Sequence, residues 1–399
     1  MFLSRLIERN PALATMALEL HQSGALVANT YLIDLDTMSA NATAIHQAAA
    51  DLGLGVYFMA KQYGRNPDAS RAVIAAGIES AVCVDLQDLE AHELHGIRIG
   101  HVGHLVQPYR GSEAEVVAAR PEVVTVFSLE CAQRLSAAAK HARQPIGVLL
   151  RVCAPGDRFY FGQGGGLPLE EIEEAARAVQ NLPALTVCGV TTFPCLLADD
   201  TARTVGTTHN FDTLIEAADR LRAAGFRVTQ VNAPGTTSVR TLQLLAEAGA
   251  THVEPGNALH GTTPTHLFEP DAPELPAIVY VSEVSHLSNG DAFVFAEGHY
   301  IDKVLGRYPL SALCGRDHNI LGRRFHVDVA DDGAIHYYTI LRGAESAGVC
   351  VGDTVVFCFR PQVFVTRGRT QAVGGLHSGR TPQLGPRYDA EARVVKGKS

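Results

Sequence analysis

No stretch of the sequence holds the roughly 18 uninterrupted apolar residues that a membrane-spanning helix needs, so no span is expected. Among the eight cysteines there is no C-x-x-C pair. Scattered cysteines of this kind suit reduced thiols in a cytosol better than a disulfide frame or a zinc knuckle. The N-terminal residues 1–9 carry charges where a secretory signal needs a continuous apolar core, so export is not expected and a cytoplasmic location is. Positive charge is short as well: the net charge of −9 argues against a nucleic-acid surface, and the basic end Lys396-Gly397-Lys398 reads as a frayed tail. What remains, 46% hydrophobic and 19% charged, is the make-up of a globular protein of enzyme size. At 399 residues the chain exceeds one ordinary core, and two domains are expected.

Residues 1–29 have the pattern of an amphipathic helical lead. A strand at 30–35 follows, then a helix to about residue 52 with Asp36 as its N-cap. From there apolar runs rich in β-formers recur at 56–60, 81–85, 98–106, 123–127, 146–152, 187–192, 228–231 and 252–254, separated by stretches of helical period such as 169–180, 211–224 and 239–248. Eight doubly buried strands alternating with helices predict an α/β fold, a (β/α)8 TIM barrel, with a doubly wound sheet as the alternative. Past Pro270, Pro273 and Pro276 the texture changes to short strands at 277–286, 292–295, 325–329, 335–340 and 354–359, with Asp331-Asp332-Gly333 as a hairpin turn. The expected organisation is a lead at 1–36, a barrel at 37–270 and an all-β domain at 271–399. The strand of the lead is expected to pack with the β domain, and residues 374–399 are left unassigned.

In such barrels chemistry gathers at the carboxyl ends of the strands. Lys61 closes the first strand, and Asn66-Pro67 supply an N-cap and a first helical residue just beyond it. Arg151 and Arg158 follow the fifth strand, Phe193 the sixth, Asn232 the seventh and Glu254 the eighth. The seventh strand runs into Gly235-Thr236-Thr237-Ser238 and the eighth into Glu254-Pro255-Gly256-Asn257. Small residues with free amides and hydroxyls at helix starts after strands seven and eight are the recipe for a phosphate site. Together with Lys61 across the mouth, they suggest a phosphorylated cofactor held covalently by the lysine. The cluster Gly162-Gln163-Gly164-Gly165-Gly166 lacks the strand and helix spacing of a dinucleotide fingerprint and reads as a flexible surface loop.

The segment K-Q-Y-G-R-N-P at 61–67 and the E-P-G motif at 254–256 resemble the fold-type III pyridoxal-phosphate enzymes, which include alanine racemase and the ornithine and diaminopimelate decarboxylases. Within them they are similar to the YhfX-type racemase-like proteins. The resemblance spans nearly the whole chain. It implies a Schiff base on Lys61, whose amine must be neutral to attack the aldehyde, with Arg65 or Arg158 supplying the positive field that favours this form. It places Tyr63, Arg158, Asn232, Gly235, Thr236, Thr237, Gly256 and Asn257 around the cofactor and Phe193 where a histidine usually stacks on the ring. Phenylalanine can stack but cannot carry a proton. Glu254, as in the decarboxylases, falls beside the pyridine nitrogen, and a carboxylate there favours the pyridinium and a strong electron sink.

The resemblance further implies a head-to-tail homodimer in which the partner's β domain brings a second acid/base, with Tyr300 and Cys314 as candidates. A metal-dependent branch of the fold carries a closely spaced His and Cys near the C-terminus, and residues 359–365 of this chain hold neither, so no metal is expected. The implied activity is racemisation of an amino acid, with decarboxylation as the alternative. Two other readings compete. A metal-dependent barrel hydrolase would use the pairs His92/His95 or His101/His104, the first read as solvated and the second as bordering the pocket. A non-catalytic pyridoxal-phosphate carrier would not need the second domain.

Overall fold

The structure is a computed structural model that describes residues 1–300, 308–330, 335–379 and 381–396. The expected turn Asp331-Asp332-Gly333 lies outside these residues, as do Gly397 and Lys398 of the basic end. The described chain forms two compact units. One comprises residues 43–59 and 77–256, the other residues 1–42, 60–76 and 257–399.

The first unit is a closed parallel barrel. Its eight strands are, in order, Gly55–Met59, Ser80–Cys83, Ile99–Val102, Val123–Val126, Ile146–Cys153, Leu185–Thr191, Gln230–Asn232 and His252–Val253. The fourth strand pairs with the fifth, and the eighth pairs with the first, Val253 opposite Val56, so no edge is left open and the doubly wound alternative is excluded. Every residue of the second, third and fourth strands is buried, which is why these segments read as unbroken apolar runs. The seventh strand begins two residues later than its apolar run and includes Asn232, so the polar side chain belongs to the strand itself.

Closure brings neighbouring backbones close together. A Cβ added to Gly189, on the sixth strand, would stand 1.7 Å from the carbonyl oxygen of Gln230 on the seventh. At the amino ends of the strands one carboxylate ties three of them. Glu122 accepts from Tyr57 Oη (3.0 Å) and Ser80 Oγ (3.0 Å) and forms an ion pair with Arg98 Nη2 (2.9 Å). Gln230 Nε2 adds a 2.9 Å bond to the same tyrosine hydroxyl. Burial, and next the charge of Glu122, push the Tyr57 phenol above its ordinary range, so it stays protonated, donating to Glu122 while accepting from Gln230.

The second unit is built on a nine-stranded sheet. Thr30–Asp34 runs antiparallel to Ile278–Ser288 and parallel to Arg369–Gly374. Three of its strands, Ser311–Gly315, Arg369–Gly374 and Gln383–Tyr388, are not among those expected from the sequence. Ser311–Gly315 follows a Pro-containing stretch. Gln383–Tyr388 carries Gly385 and Pro386 and is held by pairing with Arg369–Gly374. The lead is two helices, Leu3–Arg9 and Pro11–Gln22. The helix after the first strand starts at Leu35, and its cap is Asp34, whose Oδ1 accepts from the amides of Asp36 (3.1 Å) and Thr37 (3.2 Å). Asp36, expected as the cap, instead accepts from the amides of Gly375 (3.1 Å) and His377 (2.9 Å). The Asn66-Pro67 start is found as expected, with Asn66 Oδ1 accepting from Asp68 and Ala69, each at 3.0 Å.

Replacing Gly189 by alanine forces the Gln230 carbonyl away and opens the contact between the sixth and seventh strands. We expect a loss of about 3 kcal/mol or more and a thermal midpoint lower by roughly 6–12 °C, read by circular dichroism melting against the wild type.

Candidate functional site

A layer of polar side chains fills the carboxyl-terminal end of the barrel interior. His101 comes from the third strand, Thr125 from the fourth, Asn232 from the seventh, and Glu254 follows the eighth. All four are buried, and Glu254 is only 2% exposed. Glu254 Oε1 accepts from His101 Nδ1 (2.5 Å) and Asn232 Nδ2 (2.7 Å). His101 Nε2 in turn meets Thr125 Oγ1 at 2.5 Å. A carboxylate only accepts, so His101 Nδ1 carries a proton and donates it to Glu254, while the Thr125 hydroxyl, able to donate or accept, holds the other ring nitrogen. Glu254 Oε2 faces His104 Nδ1 at 3.3 Å and accepts no hydrogen bond among the described residues.

Burial by itself would raise the Glu254 carboxyl. The charges of His104 and His101 and the bonds from His101 and Asn232 outweigh it and bring the carboxyl down to about 2. This is a carboxylate held as an anion although it is buried. The ligand atoms of His101, His104 and Glu254 lie within 4.8 Å of one another. Both ring nitrogens of His101 are nevertheless committed, to Glu254 and to Thr125, so the group is a hydrogen-bonded chain in which His101 offers no open metal position.

Other buried polar atoms near these strand ends lack partners among the described residues: Asn232 Oδ1 and Thr237 Oγ1. Thr237 precedes the helix Val239–Glu247, whose start is closed by a reciprocal pair of bonds between Ser238 and Thr241. Gly235 has to be glycine, since a Cβ there would come within 2.7 Å of the Leu196 amide nitrogen. Phe193 is half-buried between the rings of His104 (5.3 Å, edge-on) and Tyr160 (5.7 Å).

Lys61 opens a 3-10 turn, Lys61–Tyr63, one residue beyond Ala60 at the carboxyl end of the first strand. Within its own unit its Nζ lies 4.9 Å from the centre of the Phe364 ring, and the buried Arg65 guanidinium is 5.9 Å from the same ring. Tyr63 is buried, its hydroxyl 3.1 Å from Ser70 Oγ. Asn257, with its amide turned to satisfy both groups, accepts from Arg360 Nε at 2.9 Å and Nη2 at 3.2 Å.

Several residues expected at or near the site are held by other contacts. The Arg151 guanidinium donates to the carbonyls of Gln163 (2.8 Å), Gly165 (3.0 Å) and His104 (3.2 Å), and burial lowers it to about 10. It therefore pins the glycine cluster 162–166, which is held from within and is not the free loop its composition suggested. Arg158 is exposed and bonded through its backbone, to Asn210 Oδ1 and Nδ2. His92 was read as solvated. It is 1% exposed, with its ring edge-on to Phe58 at 6.0 Å, because the apolar side of its helix turns it into the core. Cys314 is fully enclosed in the second unit, and burial, followed by the charge of Asp353, pushes its thiol up to about 12. Such a thiol does not suit a base presented to another subunit. Tyr300 is 44% exposed, next to His299, which is enclosed by Tyr280, Phe357 and Phe359. Sequence reasoning saw His101 and His104 only as a pocket border or a metal pair. It missed their hold on Glu254, and it missed Thr125 and Arg360. The i, i+3 histidine spacing was the one available signal.

The depressed titration has a consequence for stability. The unfolded chain takes up the Glu254 proton near the ordinary 4.5, the folded chain only at about 2. The stabilisation this carboxylate provides is whole above about pH 5 and is lost as the pH falls toward 2. Urea unfolding of the wild type and Glu254→Gln between pH 7 and 2.5 is expected to show a stability difference that is constant above pH 5 and shifts steadily against the wild type below it.

Residues 33–264 match the family model of the alanine racemase N-terminal domain, and residues 279–384 match the YhfX-like C-terminal domain. The chain is 37% identical over 390 residues to the uncharacterized protein YhfX of Escherichia coli (strain K12), covering 98% of each. Among solved structures it is similar to D-threonine aldolase from Filomicrobium marinum (TM-score 0.66, 18% identity, 90% of this chain and 94% of that one). It is also similar to alanine racemase from Corynebacterium glutamicum (TM-score 0.60, 18% identity, 82% and 88%). With a closed parallel barrel followed by an antiparallel β domain, and with both family models matched along its length, this chain belongs to the alanine racemase-like family of fold-type III proteins and, within it, to the YhfX-like group.

Proposed function

We propose that the protein is a pyridoxal-phosphate-dependent amino-acid racemase, and the single observation that carries this reading is the buried Glu254 carboxylate, kept anionic with an Oε2 that faces His104 but accepts no hydrogen bond among the described residues. The donor set fits the cofactor. A ring nitrogen carrying a proton would satisfy Glu254 Oε2, and the Thr237 hydroxyl, with the amides around Gly235 and Thr236, would serve a phosphate. When bound, the cofactor supplies an aldehyde for an amine and a ring that takes up the charge left at Cα.

The chain's own residues do the rest. Lys61 follows the first strand and Glu254 the eighth, and these two strands are paired neighbours in the barrel. Lys61 would hold the cofactor's aldehyde carbon and move the proton at Cα on one face. Glu254 would keep the far end of the ring protonated, and Phe193 would pack against its plane and exclude water. Gly256 and Asn257, in the loop after the eighth strand, would help to hold the phosphate. The substrate is an amino acid. We assign the acid/base of the opposite face to a partner subunit in a head-to-tail homodimer, where Tyr300 is the exposed candidate and Cys314 is not. A decarboxylase is the second reading, because a carboxylate at the ring nitrogen gives the strong electron sink that loss of CO₂ also uses.

Purified protein is expected to be yellow, and borohydride is expected to fix the cofactor mass onto the peptide containing Lys61. Lys61→Ala should be colourless and more than about 10³-fold less active. Wild-type protein incubated with single amino acids of each hand in deuterium oxide should exchange Cα hydrogen and lose optical rotation. Release of CO₂ without exchange would select the decarboxylase, and a colourless wild type would overturn both readings.

A further inference from the structure

We propose that His101 and His104 are positioning residues that hold Glu254 as an anion and turn its Oε2 toward the cofactor's ring nitrogen. The inference rests on the reading that Glu254 serves that nitrogen. The geometry supports it in three ways. Glu254 Oε1 is fully spent, on His101 Nδ1 at 2.5 Å and Asn232 Nδ2 at 2.7 Å, so the carboxylate plane is fixed. The Thr125 hydroxyl at His101 Nε2 fixes the ring from behind, so that Nδ1 is aimed at Glu254. His104 stands 3.3 Å from Oε2 with its ring edge 5.3 Å from that of Phe193, so it lies between the carboxylate and the ring expected to pack on the cofactor.

A purely structural buried glutamate would have both oxygens satisfied, since an unpaired oxygen on a buried charge is expensive. Here Oε2 has the ion-pair contact with His104 Nδ1 at 3.3 Å but accepts no hydrogen bond among the described residues, and neither does Asn232 Oδ1 on the same strand ends. That pattern fits a carboxylate prepared for a donor from outside the chain. The titratable groups that face Glu254 are His101 and His104 from the third strand and its loop, Tyr57 from the first, His252 from the eighth, and Cys195 after the sixth. Burial keeps the Tyr57 phenol and the Cys195 thiol in their neutral forms and lowers His252, which leaves His101 and His104 as the groups able to hold the anion.

Two readouts test this. Protein without added cofactor, labelled with ¹³C at the glutamate carboxyl, allows Glu254 to be assigned by the signal lost in Glu254→Gln. Its titration midpoint is expected to rise by a pH unit or more in His104→Gln and in His101→Gln. Because each variant is read separately, one that fails to fold leaves the other to decide. If folded variants move the midpoint by less than half a unit, the proposal is wrong. With ¹⁵N-labelled pyridoxal phosphate bound, the ring nitrogen resonance should be that of a protonated pyridine in the wild type and move toward the unprotonated value in the same variants. An unchanged resonance also overturns the positioning role. The carboxyl titration needs no cofactor, so it stands even if Lys61 takes up none, and the two failures are told apart.

Discussion

A charged carboxylate taken out of water costs several kcal/mol unless the protein replaces its hydration shell. Glu254 is enclosed at the carboxyl end of the barrel, and its replacement shell is drawn from strands far apart in sequence. His101 approaches from the third strand and Asn232 from the seventh, with Thr125 orienting the imidazole from behind. Only a closed barrel puts the third and fourth strands across the lumen from the seventh and eighth. The closure itself depends on the pairing of His252–Val253 with Gly55–Met59 and on the absent side chain at Gly189. The site's electrostatics and the barrel's backbone geometry are therefore one constraint.

The barrel interior carries a polar layer at each end. At the amino ends, Glu122 is satisfied by a tyrosine, a serine and an arginine, and it gathers the first three strands. At the carboxyl ends, Glu254 is satisfied on one oxygen only, with Asn232 and Thr237 each keeping an open atom nearby. The first arrangement is what stability alone requires. The second leaves polar atoms without hydrogen bonds among the described residues, at the end of the barrel where the sites of this fold gather. Rings touch between the two layers, with Tyr57 6.4 Å from His101, so both polar ends are packed into the same barrel interior.

Much of this was legible in the residues. Eight apolar runs at regular spacing gave the barrel, because a strand buried on both faces has to be apolar throughout. Asn66-Pro67 was read correctly since an N-cap is a local bond between neighbours in sequence. Glu254 was noticed for its motif. What could not be read is instructive for the same reason. Asp34 displaced Asp36 as a cap because Asp36 was drawn to amides more than 300 residues away. Arg151 looked like a site residue, yet its guanidinium was claimed by three carbonyls, two of them in a glycine cluster that composition had marked as free. Cys314 looked available and proved to be enclosed by its own sheet.

The sequence by itself determined the alternation of strands and helices, the change to a β-rich second half, the lysine at a strand's carboxyl end and the glutamate in its turn. Each of these is written in periodicity or in contacts between near neighbours. Tertiary structure alone decided that His101 and His104 face Glu254 across 150 or more residues of chain, and that one carboxylate oxygen accepts two hydrogen bonds while the other, facing His104, accepts none among the described residues. Those outcomes depend on the register of strand pairing and on ring closure. Both are sums over many long-range contacts, and no local pattern of residues encodes them.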